Sequence, residues 1–189
     1  MKVLVVNNHG ISVNRLIRII EKSNAVTEVQ LVDEEAVHPD QATEFDRIIL
    51  SSGAGMPIYH PQAIKLIHRA ATSKPILGLG FGALLIGHAF GANLQQYKLP
   101  VLGQTRKIIV HNSKNRLLKG LPREIEMTCY QALTLSPALS PNLIAHAKDV
   151  HGTPMLICHK KFDICGLLFD PCSGTSPLGM RMLSNWLEA

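Results

Sequence analysis

The sequence predicts an α/β fold: a mostly parallel sheet flanked by helices, followed by a β-rich second half. Three observations carry this reading. Continuous apolar runs recur at Val3–Val6, Arg47–Leu50 and Pro75–Gly78, as in parallel strands covered on both faces. Segments with apolar residues at helical spacing stand among them, so that up to residue 91 the order reads β-α-β-β-α-β-α. After residue 93 helical periodicity gives way to short strand-like runs.

The elements follow in order. Val3–Val6 is a first strand closed by Asn7-Asn8, and behind Gly10 the residues Ile11, Leu16, Ile19 and Ile20 mark a helix over Ile11–Ile20. Ala25–Val32 alternates as a second strand through Val26, Val29 and Leu31. Arg47–Leu50 is a buried strand, Pro61–Ala71 a helix built on Ile64, Leu66 and Ile67, Pro75–Gly78 the next strand, and Phe81–Phe90 a strongly apolar helix. Lys107–Val110, Glu124–Thr128, Leu143–Ala147 and Met155–Cys158 form the β-rich part, with Ile164–Phe169 as last strand and Pro177–Leu187 as closing helix. No repeat, linker or low-complexity tract interrupts the chain, and 189 residues suit one well-buried domain, expected to span 1–189.

Composition narrows the function classes. With 46% hydrophobic and 17% charged residues the chain is not disordered. No apolar stretch reaches the roughly 18 residues of a membrane helix; the longest, Pro75–Gly87, is cut by Gly78, Gly80 and Gly82. The N-terminus lacks a signal-peptide pattern, so a soluble, cytoplasmic protein is expected. The net charge of +5 is uneven: residues 1–46 hold eight acids and four bases, 47–123 eleven bases and no acid, and 124–189 six acids and four bases. The acid-free window admits an anion-binding face or bases scattered over exposed surface. The spaced placement of Lys65, Arg69, Lys74, Lys98, Arg106, Lys107, Lys114, Arg116, Lys119 and Arg123 favours the second. Cys129, Cys158, Cys165 and Cys172 do not match zinc-ribbon spacing, and in a reducing compartment they are expected as buried free thiols, with no metal.

In open α/β sheets ligands bind beyond the carboxyl ends of the strands, which singles out the loops 51–57, 78–83 and 169–173. Gly78-x-Gly80-x-x-Ala83 fits the dinucleotide fingerprint G-x-G-x-x-G/A, in which glycines admit a pyrophosphate to a helix N-terminus. It stands outside the first β-α-β unit, and no acid follows before Glu124 to hold a ribose, so a tight turn with packing glycines competes with nucleotide binding.

The same loop carries a wider resemblance. The run from Pro75 to Gly91, P-I-L-G-L-G-F-G-A-L-L-I-G-H-A-F-G, resembles the nucleophile elbow of class I glutamine amidotransferases, P-I-L-G-[IV]-C-L-G-H-Q. Ser51–Pro57 resembles the family's S-P-G-P-G-x-P oxyanion loop, Cys129–Leu133 its R-Y-H-S-L segment, and Gly166–Ser173 its G-V-Q-F-H-P-E-S segment, with Asn185-Trp186-Leu187 matching its ending. The wording is closest to the glutaminase component (component II) of anthranilate and para-aminobenzoate synthases, with the GMP synthase amidotransferase domain second. The resemblance implies a flavodoxin-like three-layer sandwich.

It also implies where the chemistry stood. The family attacks the amide carbon of glutamine with a cysteine thiolate, activated by a histidine that a glutamate orients. On this chain those positions are Gly80, Asp170 and Cys172. The glutamine-holding pair after the elbow is Ala83 and Leu84, the substrate-binding serine is Ala132, and the oxyanion donors are the backbone N–H groups of Gly53 and Phe81. Losing one nucleophile or base costs a triad hydrolase about 10⁶-fold. The resemblance therefore implies a catalytically degenerate homologue: an interaction or regulatory pseudo-subunit without glutaminase activity and without a cofactor. Its expected partner is an ammonia-using, chorismate-utilising synthase subunit or another acidic protein surface met by the basic window; nucleic acid is not expected. Two alternatives stand: a nucleotide-binding domain using Gly78–Gly80, and an active amidotransferase with an unfamiliar nucleophile. For the latter Cys172 and the bases His9, His88 and His111 are the candidates.

Overall fold

A computed structural model describes residues 1–173 and 177–188, and of Lys98 only the backbone. The strands are β1 (Lys2–Asn8), β2 (Glu28–Asp33), β3 (Arg47–Gly53), β4 (Ile76–Leu79), β5 (Leu94–Val110), β6 (Glu124–Leu135), β7 (Leu143–Asp149), β8 (Pro154–His159) and β9 (Ile164–Leu167). The helices are α1 (Val13–Glu21), α2 (Pro61–Ala70), α3 (Phe81–Ala89) and α4 (Pro177–Leu187), with short 3-10 turns between elements. The strands form a sheet in the order β2-β1-β3-β4-β9-β8-β7-β5-β6. The ladders among β2, β1, β3, β4 and β9 are parallel, and those from β9 to β6 antiparallel.

Side chains alternate across this sheet as the pleat demands, and both faces are covered. Val3, Val5, Ile49, Leu77 and Leu79 pack with Leu16 and Ile20 of α1 and with Met182, Leu183 and Trp186 of α4. Leu4, Val6, Ile48, Leu50 and Ile76 pack on the opposite face with Ala63, Leu66 and Ile67 of α2 and with Ala83 and Ile86 of α3. The result is the expected helix–sheet–helix layering, with the C-terminal ends of β1, β3, β4 and β9 side by side at one edge.

Several sequence expectations are corrected. Helix α1 starts at Val13, and Ile11 is 82% exposed. Gly10 runs so close to β3 that an added Cβ would meet the Ser52 carbonyl at 2.3 Å, so the chain must clear β3 before it can coil. Strand β5 is far longer than Lys107–Val110. Pro100 and Gly103 read as breakers, yet they lie at register shifts against β6, between Gln96 and Val101 and between Leu102 and Gln104, where the ladder tolerates them. Strand β6 likewise continues through Leu135, so the segment Cys129–Leu133 lies on a strand. Finally, Cys158 and Cys165 are not free thiols. The β8–β9 register sets them directly opposite each other with Cα atoms 4.1 Å apart, and they form a disulfide, while Cys129 and Cys172 are free and buried as expected. No helix among the described residues is long and apolar enough to cross a membrane.

Candidate functional site

The parallel strands deliver Asn8 and His9, Ser51 to Gly53, Gly80, and Phe169 and Asp170 to one edge of the sheet, around a cavity of about 180 Å³. Gly80 stands at the apex between β4 and α3 with φ +53° and ψ −108°. Such a backbone is strained for any residue with a side chain and is the geometry of a nucleophile elbow. The flanking glycines make the turn possible. A Cβ on Gly78 would lie 2.4 Å from the Gly82 carbonyl, and one on Gly82 2.2 Å from the Leu50 carbonyl, so helix and strands close to backbone contact. The Gly80 N–H donates to the carbonyls of Leu167 (2.8 Å) and Phe169 (3.2 Å), fixing the elbow against β9. The fingerprint glycines are thus accounted for by packing.

Asp170 is 5% exposed and lines the cavity. Its Oδ2 accepts the hydroxyl of Ser12 and its Oδ1 the backbone N–H of Cys172 at 2.9 Å, while its carbonyl accepts from the Ser173 N–H and hydroxyl. Ser12 Oγ in turn lies 3.0 Å from Ser52 Oγ. Cys172, the candidate replacement nucleophile, is 1% exposed and does not line the cavity; burial and the Asp170 carboxylate push its thiol far above the ordinary range. Burial likewise pushes the Cys129 thiol up to about 12. His9 lines the cavity, but its Nε2 faces Glu35 at 3.2 Å on the exposed side; His88 and His111 do not line it.

A second cavity of about 540 Å³ continues from the first, sharing Gly53, Ala54, Phe81, Tyr130 and Gln131 with it. Its walls are largely apolar, with Met56, Leu84, Leu102, Ala132 and Leu133. Of the pocket positions read from the sequence, Gly53, Phe81, Leu84 and Ala132 therefore face the cavities. Ala83 does not: it is fully buried, and a Cβ on Gly166 would meet its Cβ at 2.8 Å, so it points into the sheet rather than toward a ligand.

Ser12 was not legible as a site residue, because its partner Asp170 lies 158 residues away. Nor was the role of Gln131, which is 6% exposed; its Nε2 donates to the Leu168 carbonyl, and its Oε1 has no hydrogen-bond partner among the described residues. His60 also escaped notice. Its Nδ1 stands 3.0 Å from the buried Glu34 carboxylate, and its ring meets Phe81 edge-on at 4.8 Å, bracing the loop 51–57 from behind. Four of the eleven bases in the acid-free window are neutralised within the fold. Arg69, Arg106, Lys107 and Arg116 pair with Asp40, Asp149, Glu124 and Asp163, acids supplied by the flanking segments. Arg47 is buried and donates to the Trp186 carbonyl, and the Lys98 side chain lies outside the described residues. Among the described residues no Lys or Arg lines either cavity; their rim carries the exposed apolar side chains Ile11, Met56, Leu102 and Tyr130.

Comparison with known proteins is consistent along the whole chain. The class-I glutamine amidotransferase family model matches residues 4–189. Anthranilate synthase component 2 of Mycobacterium tuberculosis (strain H37Rv) is 31% identical over 191 residues, covering 99% of this chain and 82% of that one. The component 2 protein of Saccharolobus solfataricus is 28% identical and covers 98% and 97%. In structure, the chain resembles a candidate GMP synthase subunit of Thermoplasma acidophilum with a TM-score of 0.87 and 23% identity, covering 100% of this chain and 92% of that one, a likeness of fold. The chain therefore belongs to the class-I glutamine amidotransferase family.

Proposed function

We propose that this chain is a catalytically degenerate class I amidotransferase: a single-domain interaction or regulatory subunit that resembles anthranilate synthase component II but does not hydrolyse glutamine. The observation that carries this reading is the elbow itself. Its apex is Gly80, a residue with no nucleophile. The histidine-equivalent position is Asp170, whose carboxylate is engaged by Ser12 and the Cys172 N–H. Neither free thiol is a substitute, because Cys129 and Cys172 are buried and hard to ionise, and only a thiolate attacks. Backbone donors at Gly53 and Phe81 persist with any residue there and do not argue for turnover. The packing role of Gly78 and Gly82 weighs against the nucleotide reading.

The partner on this reading is an ammonia-using synthase subunit. The apolar rim of Ile11, Met56, Leu102 and Tyr130 suits a contact that depends weakly on salt. Ammonia release from glutamine, measured with and without a chorismate-utilising synthase subunit, tests the proposal. The expected result is no release above background in either case. Turnover that disappears when a residue of the cleft is changed would overturn it.

A further inference from the structure

We infer that the emptied site is a receptor for an organic ammonium: a primary amine carried on an apolar tail. The inference rests on the non-hydrolytic reading above and names the ligand class of the same cleft. It follows from where the protons must go. Ser12 donates its only hydroxyl hydrogen to Asp170 Oδ2. The 3.0 Å contact between Ser12 Oγ and Ser52 Oγ then has a single consistent direction, with Ser52 donating and Ser12 accepting. Ser52 therefore has no hydrogen left and offers lone pairs to the cavity it lines.

Asp170 is acceptor-only as well. It receives one hydrogen bond on each oxygen in the structure and retains capacity for more, since a carboxylate offers about four lone-pair sites. The polar end of the cavity thus carries one buried carboxylate and hydroxyl lone pairs. Among the described residues no Lys or Arg lines it, and His9, which does, turns its Nε2 to Glu35. The backbone N–H groups that open α3 at Phe81 are the opposing donor edge. A carboxylate or phosphate ligand would meet the Asp170 carboxylate on the cavity wall and be repelled; an ammonium brings three donors and the opposite charge.

The remaining walls set the rest of the ligand. Phe81, Tyr130 and Phe169 line the polar end beside Asp170 and Ser52. From there the cavity of about 540 Å³ continues along Met56, Leu84, Leu102 and Leu133, an apolar channel for a hydrocarbon or aryl tail. A Cβ on Gly80 would lie 3.3 Å from Ser52 Cβ, so the absent side chain leaves room in the cavity beside Ser52.

The test is calorimetric titration of the purified chain with four probes of matched shape: hexylamine, hexanamide, hexanol and hexanoate, each at neutral pH. Saturable binding of hexylamine, with the three others weaker by at least about tenfold, is the expected result. In the variant Asp170→Asn hexylamine binding should weaken by at least about tenfold. In Ala132→Trp the tail channel is filled by a neutral side chain and binding falls while Asp170 is intact, which keeps the inference testable if Asp170→Asn does not fold. Hexanamide, hexanol or hexanoate binding as well as hexylamine, or hexylamine failing to bind at millimolar concentration, overturns the inference. Glutamine turnover is assayed on the same sample. Turnover overturns the non-hydrolytic reading, whereas absent turnover together with absent amine binding overturns this inference alone.

Discussion

Ser12, in the loop between β1 and α1, donates its hydroxyl to the carboxylate of Asp170 after β9, and so joins two loops 158 residues apart in sequence across the mouth of the sheet. The bond is buried, and Ser12 is the hydroxyl donor to Oδ2. Ser12→Ala should therefore destabilise the fold by about 1–3 kcal/mol, the usual loss when a buried charged acceptor is stripped of a donor. Urea unfolding read by circular dichroism measures it, and an unchanged midpoint would show that water satisfies Asp170 as well as Ser12 does.

A second carboxylate is held in the antiparallel half. Asp149 is buried; its Oδ2 lies 2.6 Å from Arg106 Nη1, and its Oδ1 accepts the N–H groups of His151 and Thr153 at 2.9 Å each. Arg106 also covers the Tyr97 ring at 4.6 Å. Asp149→Ala leaves a guanidinium and two turn N–H groups without their acceptor, and a loss of about 3–5 kcal/mol is expected. A smaller loss on replacing Arg106 and Asp149 together than the two single losses summed would confirm that the cost lies in the orphaned partner.

The disulfide joining β8 to β9 should be visible in solution. Without reductant the unfolded chain should take up two alkyl groups, and with reductant four, read by mass spectrometry. Cys158→Ala should lower the unfolding free energy by about 2–3 kcal/mol, the chain-entropy value for so short a loop. Four alkylations without reductant would show the pair to be reduced.

The buried thiols give stability a pH dependence of known sign. In the folded chain Cys129 stays protonated until about 12, while in the unfolded chain it ionises near the ordinary value of 9.0; Cys172 is shifted in the same direction. Stability is thus fully present below about pH 9 and falls as pH rises toward 12, by about 1.4 kcal/mol per pH unit per thiol. Urea titrations from pH 8 to 10.5 check the slope. Cys129→Ala should flatten it, and an identical slope in that variant would refute the assignment.

Much of the fold was legible because its signals are local. The apolar runs at β1, β3 and β4 and the helical spacing of α2 and α3 sit within windows of ten residues, and the structure keeps them. What escaped depends on partners distant in sequence. The early part of β5 mixes polar and apolar residues without a clean alternation and holds Pro100 and Gly103, and its register against β6 is what makes it a strand. Cys158 and Cys165 pair because β8 and β9 run antiparallel in one register, which no spacing rule announces. The acid-free window left a basic face open as a reading, yet Arg69, Arg106, Lys107 and Arg116 pair with acids from both flanks, and among the described residues no Lys or Arg lines either cavity. In the site, Gly80 and Asp170 were found through motif position, whereas Ser12 and the bracing pair His60–Glu34 became visible only when the loops were brought together.

Restoring a thiol at the elbow separates geometry from chemistry. Gly80 has φ +53°, where an L-residue is strained by about 1–3 kcal/mol, and its new Cβ would press on Ser52 Cβ at 3.3 Å. Gly80→Cys should therefore be less stable than the parent by roughly that amount in urea unfolding, and Gly80→Ala by a similar amount, since the cost lies in the backbone and the Cβ. The thiol would sit where the family keeps its nucleophile, yet Asp170 faces it in place of an imidazole. A nearby carboxylate raises a thiol's pKa, so little thiolate forms at neutral pH. Glutamine hydrolysis should stay at background in Gly80→Cys and rise only when Asp170→His and Cys172→Glu are added. Turnover by Gly80→Cys alone would mean that another base reaches the elbow, and that the degenerate reading of this site rests on too few residues.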